Sequence, residues 1–182
     1  TKPFGFMKFT PGPGLGGHCI PIDPFYLTWK AREYEIATRF IEMAGEINTS
    51  MPYYVVTSMI EELSKRNIGI KNAKILLIGM AYKKNVDDDR ESPSYKLMEI
   101  LESKGAKVDY HDPFIPEIRP SRQYATYAGK KSADIAKAGE YDCILISTNH
   151  DNIDWDDLLE KTKLIVDTRG VYRGENEKVI KA

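Results

Sequence analysis

Two hydrophobic periods divide the chain. From about Phe25 to Ile47, apolar residues at Ile36, Phe40, Ile41, Met43, Ala44 and Ile47 recur at helical spacing, and Val55, Val56, Met59, Ile60 and Leu63 repeat the stripe further on. The spacing predicts two helices. Asp23-Pro24 reads as an N-cap with proline in the first turn, Asn48-Thr49-Ser50 as the interruption, and Ser50 as the cap of the second helix, which ends near Asn67-Ile68-Gly69.

Beyond Gly69 the period shortens. KILLIG (Lys74 to Gly79) suits a strand buried on both faces; Ser92-Pro93 opens a helix carrying Leu97, Met98 and Leu101 that Gly105 ends; KVDYHD (Lys107 to Asp112) is a second strand. DCILIST (Asp142 to Thr148) and KLIVDT (Lys163 to Thr168) predict a third and a fourth, with an acidic-capped helix from Asp154 between them. Strands alternating with helices predict an α/β fold, a helical segment followed by a doubly wound parallel sheet, which binds ligands at the carboxyl ends of its strands. That rule selects Met80 to Lys84, Asp112 to Phe114, Thr148 to His150, and Arg169.

Composition narrows the partners. In 182 residues, 42% hydrophobic and 29% charged with a net charge of -1, there is no broad positive field for nucleic acid. No apolar run approaches the roughly 20 residues of a membrane span. The start, Thr1-Lys2-Pro3, lacks a signal-peptide layout, so a cytoplasmic location without a membrane partner is expected. A first residue other than Met, followed by apolar Phe4 to Phe9 without a start signal, suggests that the chain begins inside something larger. Cys19 and Cys143 are the only cysteines, which favours reduced thiols over a disulfide framework.

The candidate chemistry gathers in PGPGLGGHCIPIDP, Pro11 to Pro24. Gly12, Gly14 and Gly17 satisfy G-x-G-x-x-G, but no strand precedes them and His18-Cys19-Ile20-Pro21 does not open a helix, so the pattern is not a dinucleotide fingerprint. Its glycines still supply backbone that admits close approach. Cys19, just before a helix start that favours a thiolate, reads either as a nucleophile or as a small buried hydrophobe, and the residues alone leave both open. Cys143, inside an apolar strand, belongs to the core. His18, Cys19 and Asp23 lack the further ligands of a metal site, so no metal is expected. In GMAYKKNVDDDRESPS (Gly79 to Ser94), Lys83, Lys84 and Arg90 surround the mouth of the sheet and suit a diphosphate, partly offset by Asp87, Asp88 and Asp89.

PGPGLGGHCIPIDPFYL resembles the signature of the UDP-N-acetylhexosamine branch of the nucleotide-sugar 6-dehydrogenases, the UDP-glucose/GDP-mannose dehydrogenase family, and GMAYKKNVDDDRESPS resembles that family's second signature. The resemblance covers essentially the whole chain. It implies that residues 1–66 form the active-site loop and the end of a central helical, dimerising domain, and residues 67–182 a Rossmann-like UDP-sugar-binding domain. The N-terminal NAD domain, with the family's active-site lysine and asparagine, would lie outside these residues. The implied reaction oxidises the sugar C6 alcohol to a carboxylate in two hydride transfers to NAD, a step of polysaccharide biosynthesis. Cys19 would carry the thiohemiacetal and thioester, and Asp23 would position or deprotonate the hydrolytic water.

By the same resemblance, Thr10, Gly12, Gly14, Gly16, Tyr82, Lys83 and Arg169 would contact the substrate, Arg90 the NAD pyrophosphate, and Lys2 the substrate of a neighbouring subunit. Ile22 stands where the UDP-glucose branch has lysine, which argues against plain UDP-glucose. The implied partners are a UDP-N-acetylhexosamine, the NAD domain and at least one further copy, as a homodimer or higher. The competing reading is a nucleotide-sugar-binding or dimerisation module without chemistry of its own. A cysteine hydrolase would need a histidine base, and His18, adjacent in sequence, points its side chain away from that of Cys19.

Overall fold

Apolar runs too short for helices and long enough for strands set the frame. The structure, a computed structural model, describes residues 4–5 and 10–182, so Lys2 lies outside the described residues. The strands β1 (Lys74–Ile78), β2 (Lys107–His111), β3 (Cys143–Ile146), β4 (Ile165–Asp167) and β5 (Val179–Lys181) form one sheet in the order β2-β1-β3-β4-β5. Every neighbouring pair is parallel. The chain turns one way from β1 to β2 and the other way to β3, so the crevice beyond the ends of β1 and β3 is the switch point where such sheets take ligands.

Among the described residues, four α-helices accompany the sheet: α1 (Asp23–Arg32), α2 (Arg39–Lys65), α3 (Pro93–Ser103) and α4 (Trp155–Lys161). One face of the sheet, with Ile75, Leu77, Tyr110, Cys143, Leu145 and Val166, packs on Leu97, Met98 and Leu101 of α3 and on Val55, Val56, Met59 and Leu63 of α2. The opposite face, with Leu76, Ile78, Ile144, Ile146 and Ile165, packs on Ile153, Leu158 of α4, and Ala138. Burial on both sides explains the apolar runs of β1, β3 and β4, whereas the edge strand β2 alternates, burying Val108 and Tyr110 on one face. The expected doubly wound α/β fold is the fold found. Ser92 caps α3 by accepting the Ser94 N–H, and Asp154 caps α4 by accepting that of Asp157.

The helical segment departs from its sequence pattern. The first helix stops at Arg32, because Glu35 takes a left-handed φ of +57° and turns the chain before α2. Asn48, Thr49 and Ser50 do not interrupt anything. Their side chains donate to the carbonyls of Ala44, Gly45 and Ile47, so they are satisfied within a continuous α2 that also carries Pro52 in its interior. Asp23 is the first residue of α1 and not its cap: Ile22 stands at the cap position, and the Cys19 carbonyl accepts the N–H groups of Ile22 and Asp23 at 3.0 and 2.8 Å. β5, three half-exposed residues, is too short to show a period and was not anticipated.

α1 meets α2 at Gly45, where a methyl group would lie 2.4 Å from Phe25 Cζ. Beyond that contact much of the helical segment's apolar surface is open, with Trp29 64% and Phe40 87% exposed. Among the described residues, no helix is long and apolar enough to cross a membrane. At the end of β1, Gly79 has φ +90°, and a methyl group there would sit 2.5 Å from Thr148 Cβ and 2.6 Å from its carbonyl oxygen. Gly79→Ala should therefore cost about 3 kcal/mol in urea unfolding, from backbone strain plus collision with β3's exit. A loss within experimental error would mean that the two loops separate freely.

Candidate active site

The proline-glycine loop rests on the residues that leave β1 and β4. Its glycines are required by how closely protein groups approach. A methyl group at Gly12 would lie 2.3 Å from Arg169 Nη1, one at Gly16 would lie 2.6 Å from Tyr82 Cβ, and one at Gly17 would lie 2.9 Å from the Tyr82 ring. The Gly17 N–H donates to the Arg90 carbonyl at 3.0 Å. The space over these glycines is thus filled by the protein's own arginine and tyrosine, which also removes the dinucleotide cradle that the glycine spacing mimics.

Arg169 is the decisive charge. Its Nε donates to the Ser147 carbonyl at 2.6 Å and its backbone N–H to Asp167 Oδ1 at 3.0 Å. Burial pushes its guanidinium below the ordinary arginine value, and among the described residues no carboxylate forms an ion pair with it. A half-buried cation without a counter-ion, braced on a glycine, is suited to an incoming anion. Lys83 is exposed, its Nζ 5.5 Å from the Tyr82 ring centroid. Arg90 is also exposed and its fork is closed by Asp88, with Nε 2.9 Å from Oδ1 and Nη2 2.6 Å from Oδ2; that hydrogen bonding holds the Asp88 carboxyl below the usual carboxylate range.

Cys19 is exposed, one turn ahead of α1, and Cys143 is buried in β3 with burial pushing its thiol far up. Beside His18, a cleft of about 740 Å³ opens between Ile22, Arg90, Arg119 and Tyr124. Among the described residues, no hydrogen bond or ion pair joins the side chains of Cys19 or Asp23 to Lys83 or Arg169, and Thr10 is exposed with no side-chain partner. No group of three or more His, Cys, Asp or Glu side chains is arranged for a metal ion among these residues.

Two strand-end positions that the sheet rule selects turn inward. Asp112, 1% exposed, accepts from the N–H groups of Met80 (2.7 Å), Ala81 (2.9 Å), Phe114 (2.8 Å) and Ile115 (3.1 Å), and from His150 Nε2 (3.1 Å), itself fully buried. They serve the protein's own backbone: Asp112 satisfies amides of the loops after β1 and β2 that would otherwise be costly to bury. An aspartate directly after the alternating strand KVDYH, with Pro113 next, is the signal the sequence carries for Asp112; nothing local marks His150 as its partner.

A family model for the UDP binding domain of the UDP-glucose/GDP-mannose dehydrogenase family matches residues 76–174, and one for that family's central domain matches residues 1–50. The chain belongs to this family. It is 38% identical over 169 residues to the UDP-N-acetyl-D-mannosamine dehydrogenase of Methanococcus maripaludis, covering 88% of this chain and 36% of that protein. To the UDP-N-acetyl-D-glucosamine 6-dehydrogenase of Pseudomonas aeruginosa it is 31% identical, covering 81% of this chain and 34% of that protein. The solved UDP-D-ManNAc dehydrogenase of Pyrococcus horikoshii superposes with a TM-score of 0.75 at 30% identity, covering 95% of this chain and 39% of that one. The chain therefore spans little more than a third of the relatives it matches.

Burial raises the Asp112 carboxyl, but the His150 hydrogen bond and the amides of Ala81 and Phe114 outweigh it and hold the group below the usual aspartate range. A carboxylate lowered in the folded state stabilises fully above its unfolded value of about 4, and that contribution vanishes as pH falls through the lowered value. The urea midpoint should therefore fall between about pH 5 and about pH 2, and fall less in Asp112→Ala. Equal falls in both proteins would assign acid lability elsewhere.

Proposed function

We propose that this chain is the substrate-side part of an NAD-dependent UDP-N-acetylhexosamine 6-dehydrogenase that acts in the cytoplasm. The observation that carries the reading is Arg169: a half-buried guanidinium with no carboxylate partner among the described residues, resting on Gly12 of the loop that leads to Cys19. Residues 1–66 supply the active-site loop and the last helices of the central domain, and residues 67–182 supply the UDP-sugar unit. Membership of a dehydrogenase family and relatives named for both N-acetylmannosamine and N-acetylglucosamine substrates support the substrate class.

Arg169 and Lys83 neutralise the diphosphate, Tyr82 walls the glycine loop, and Thr10, Gly12, Gly14 and Gly16 face the substrate with backbone. The described residues fit NAD only at its edge: Arg90 is exposed and can leave Asp88 for a pyrophosphate, while the Gly12 to Gly17 pattern is filled by protein side chains. When bound, NAD accepts the hydride lost at each of the two oxidation stages. Between those stages Cys19 Sγ adds to the aldehyde carbon, forming a C–S bond while the carbonyl oxygen takes a proton, and so retains the intermediate. After the second, the acyl group sits on the same sulfur. Water, deprotonated by the Asp23 carboxylate, attacks that carbon, the C–S bond breaks, and the sugar leaves as a carboxylate with Cys19 restored as a thiolate. Asp23 opens α1 one turn after Cys19, where the helix N-terminus favours both anions.

The exposed apolar side chains of α1 and α2 support assembly as a homodimer or higher, and the reduced cysteines support a cytoplasmic setting. Full activity requires an NAD-binding domain acting together with residues 1–182.

In the full chain supplied with NAD, Cys19→Ala should lower NADH formation from a UDP-N-acetylhexosamine about 1,000-fold or more while UDP affinity stays within about threefold. Turnover near wild type would overturn the nucleophile. Arg169→Gln should weaken UDP binding in calorimetry about 30-fold, as loss of a charge-assisted contact to phosphate. UDP binding with no turnover on any UDP-hexosamine would instead favour a binding module.

A further inference from the structure

The loop that carries Tyr82 and Lys83 is held on both sides of those residues by side chains from beyond β2 and β3, and at Tyr82 by the loop itself, the Tyr82 N–H donating to the Asp88 carbonyl at 3.0 Å. Before them, the Met80 and Ala81 amides donate to Asp112 Oδ2 at 2.7 and 2.9 Å. After them, the Asn85 N–H donates to His150 Nδ1 at 3.0 Å. Because Nδ1 accepts, the ring proton resides on Nε2, which donates to the same Asp112 Oδ2 at 3.1 Å. One buried carboxylate and one buried imidazole thus fix both ends of the stretch Tyr82 to Lys84, and both polar side chains are spent on protein groups.

Two further features make the grip specific to this loop. Asn85 holds a left-handed φ of +63°, a conformation that its amide's bond to His150 keeps in place. The Asn85 side chain also joins Asp151 at 2.6 and 3.0 Å, but that tether is exposed to solvent, where such bonds are weak. The stiffer attachment is therefore the half-buried one, to a fully buried imidazole. Its output is the placement of Tyr82, whose ring lies against Gly16 and Gly17 of the catalytic loop.

We propose that Asp112 and His150 are a positioning pair for nucleotide-sugar binding: His150, anchored by Asp112, holds the Asn85 amide and so sets Tyr82 and Lys83 against the glycine loop. This rests on the functional reading above. Neither residue touches substrate. Their effect passes entirely through the loop backbone, so affinity must follow the Asn85 hydrogen bond and not general stability.

Variants of His150 separate the two bonds. His150→Asn places a carboxamide oxygen where Nδ1 stood and keeps the acceptor for Asn85; His150→Gln extends its amide nitrogen to the Nε2 position and keeps only the donor to Asp112; His150→Leu keeps neither. Calorimetry with UDP on the full chain should show affinity within about threefold of wild type for His150→Asn and about tenfold or more weaker for His150→Gln and His150→Leu, a factor typical of one buried hydrogen bond. Melting temperatures should fall in all three. Equal UDP affinity in the Asn and Gln variants, or wild-type affinity in His150→Leu, would overturn the positioning role; if His150→Leu does not fold, the Asn and Gln pair still decides. A wild-type chain that binds no UDP would overturn the functional reading itself, and this proposal with it, whereas binding that is merely insensitive to His150 overturns the proposal alone.

Discussion

A charge buried at the end of a parallel sheet governs the binding face. Asp112 has almost no solvent contact, so its carboxylate must be hydrogen-bonded on all sides or forfeit its ionisation. It collects the amides that leave β1 and those that follow β2, together with the His150 ring from beyond β3. Three loops that diverge from three strands are thereby tied to one group. The close contact of Gly79 with Thr148, and the Thr148 hydroxyl donating to the Ala81 carbonyl at 2.6 Å, draw the same loops together.

Against that satisfied anion stands an unsatisfied cation. Arg169 is held by one carbonyl and a glycine, and its charge has no partner among the described residues. The contrast separates two kinds of polar group at a single sheet end: buried groups that find protein partners organise the loops, and Arg169 stays half-buried without a counter-ion among the described residues. Surface pairs such as Arg90 with Asp88 belong to neither class, because solvent screening lets them exchange partners at small cost.

α2 joins the two parts of the chain. Its C-terminal half contributes Val55, Val56, Met59 and Leu63 to the core beneath the sheet, while its N-terminal half, with α1, presents Phe40, Met43 and Trp29 to solvent. One continuous helix thus couples the sheet to a surface whose apolar area is unusual for a lone chain. The loop bearing Cys19 enters α1 directly, and its Gly14 lies against Pro52 of α2 and Pro93 of α3, so the same helix also backs the proline-glycine loop.

Local pattern determined a good deal. Four of the five strands, the caps at Ser92 and Asp154, the alternation that makes the sheet doubly wound, and the core role of Cys143 were all legible, because each follows from residue order over a few positions. The glycine-proline signature and its cysteine were likewise legible, since a motif is local. What tertiary structure decided was which polar residues face in. Asp112, Thr148 and His150 satisfy the same strand-end rule as Arg169, yet only contacts between loops dozens of residues apart turn three of them into structural groups and leave the fourth free. The same holds for Asn48 to Ser50, whose helix-breaking chemistry was absorbed by carbonyls of their own helix once packing made α2 continuous. Short-range spacing sets the elements; the partner of a hydrogen-bonding side chain is a long-range fact, and it is that partner which separates scaffold from site.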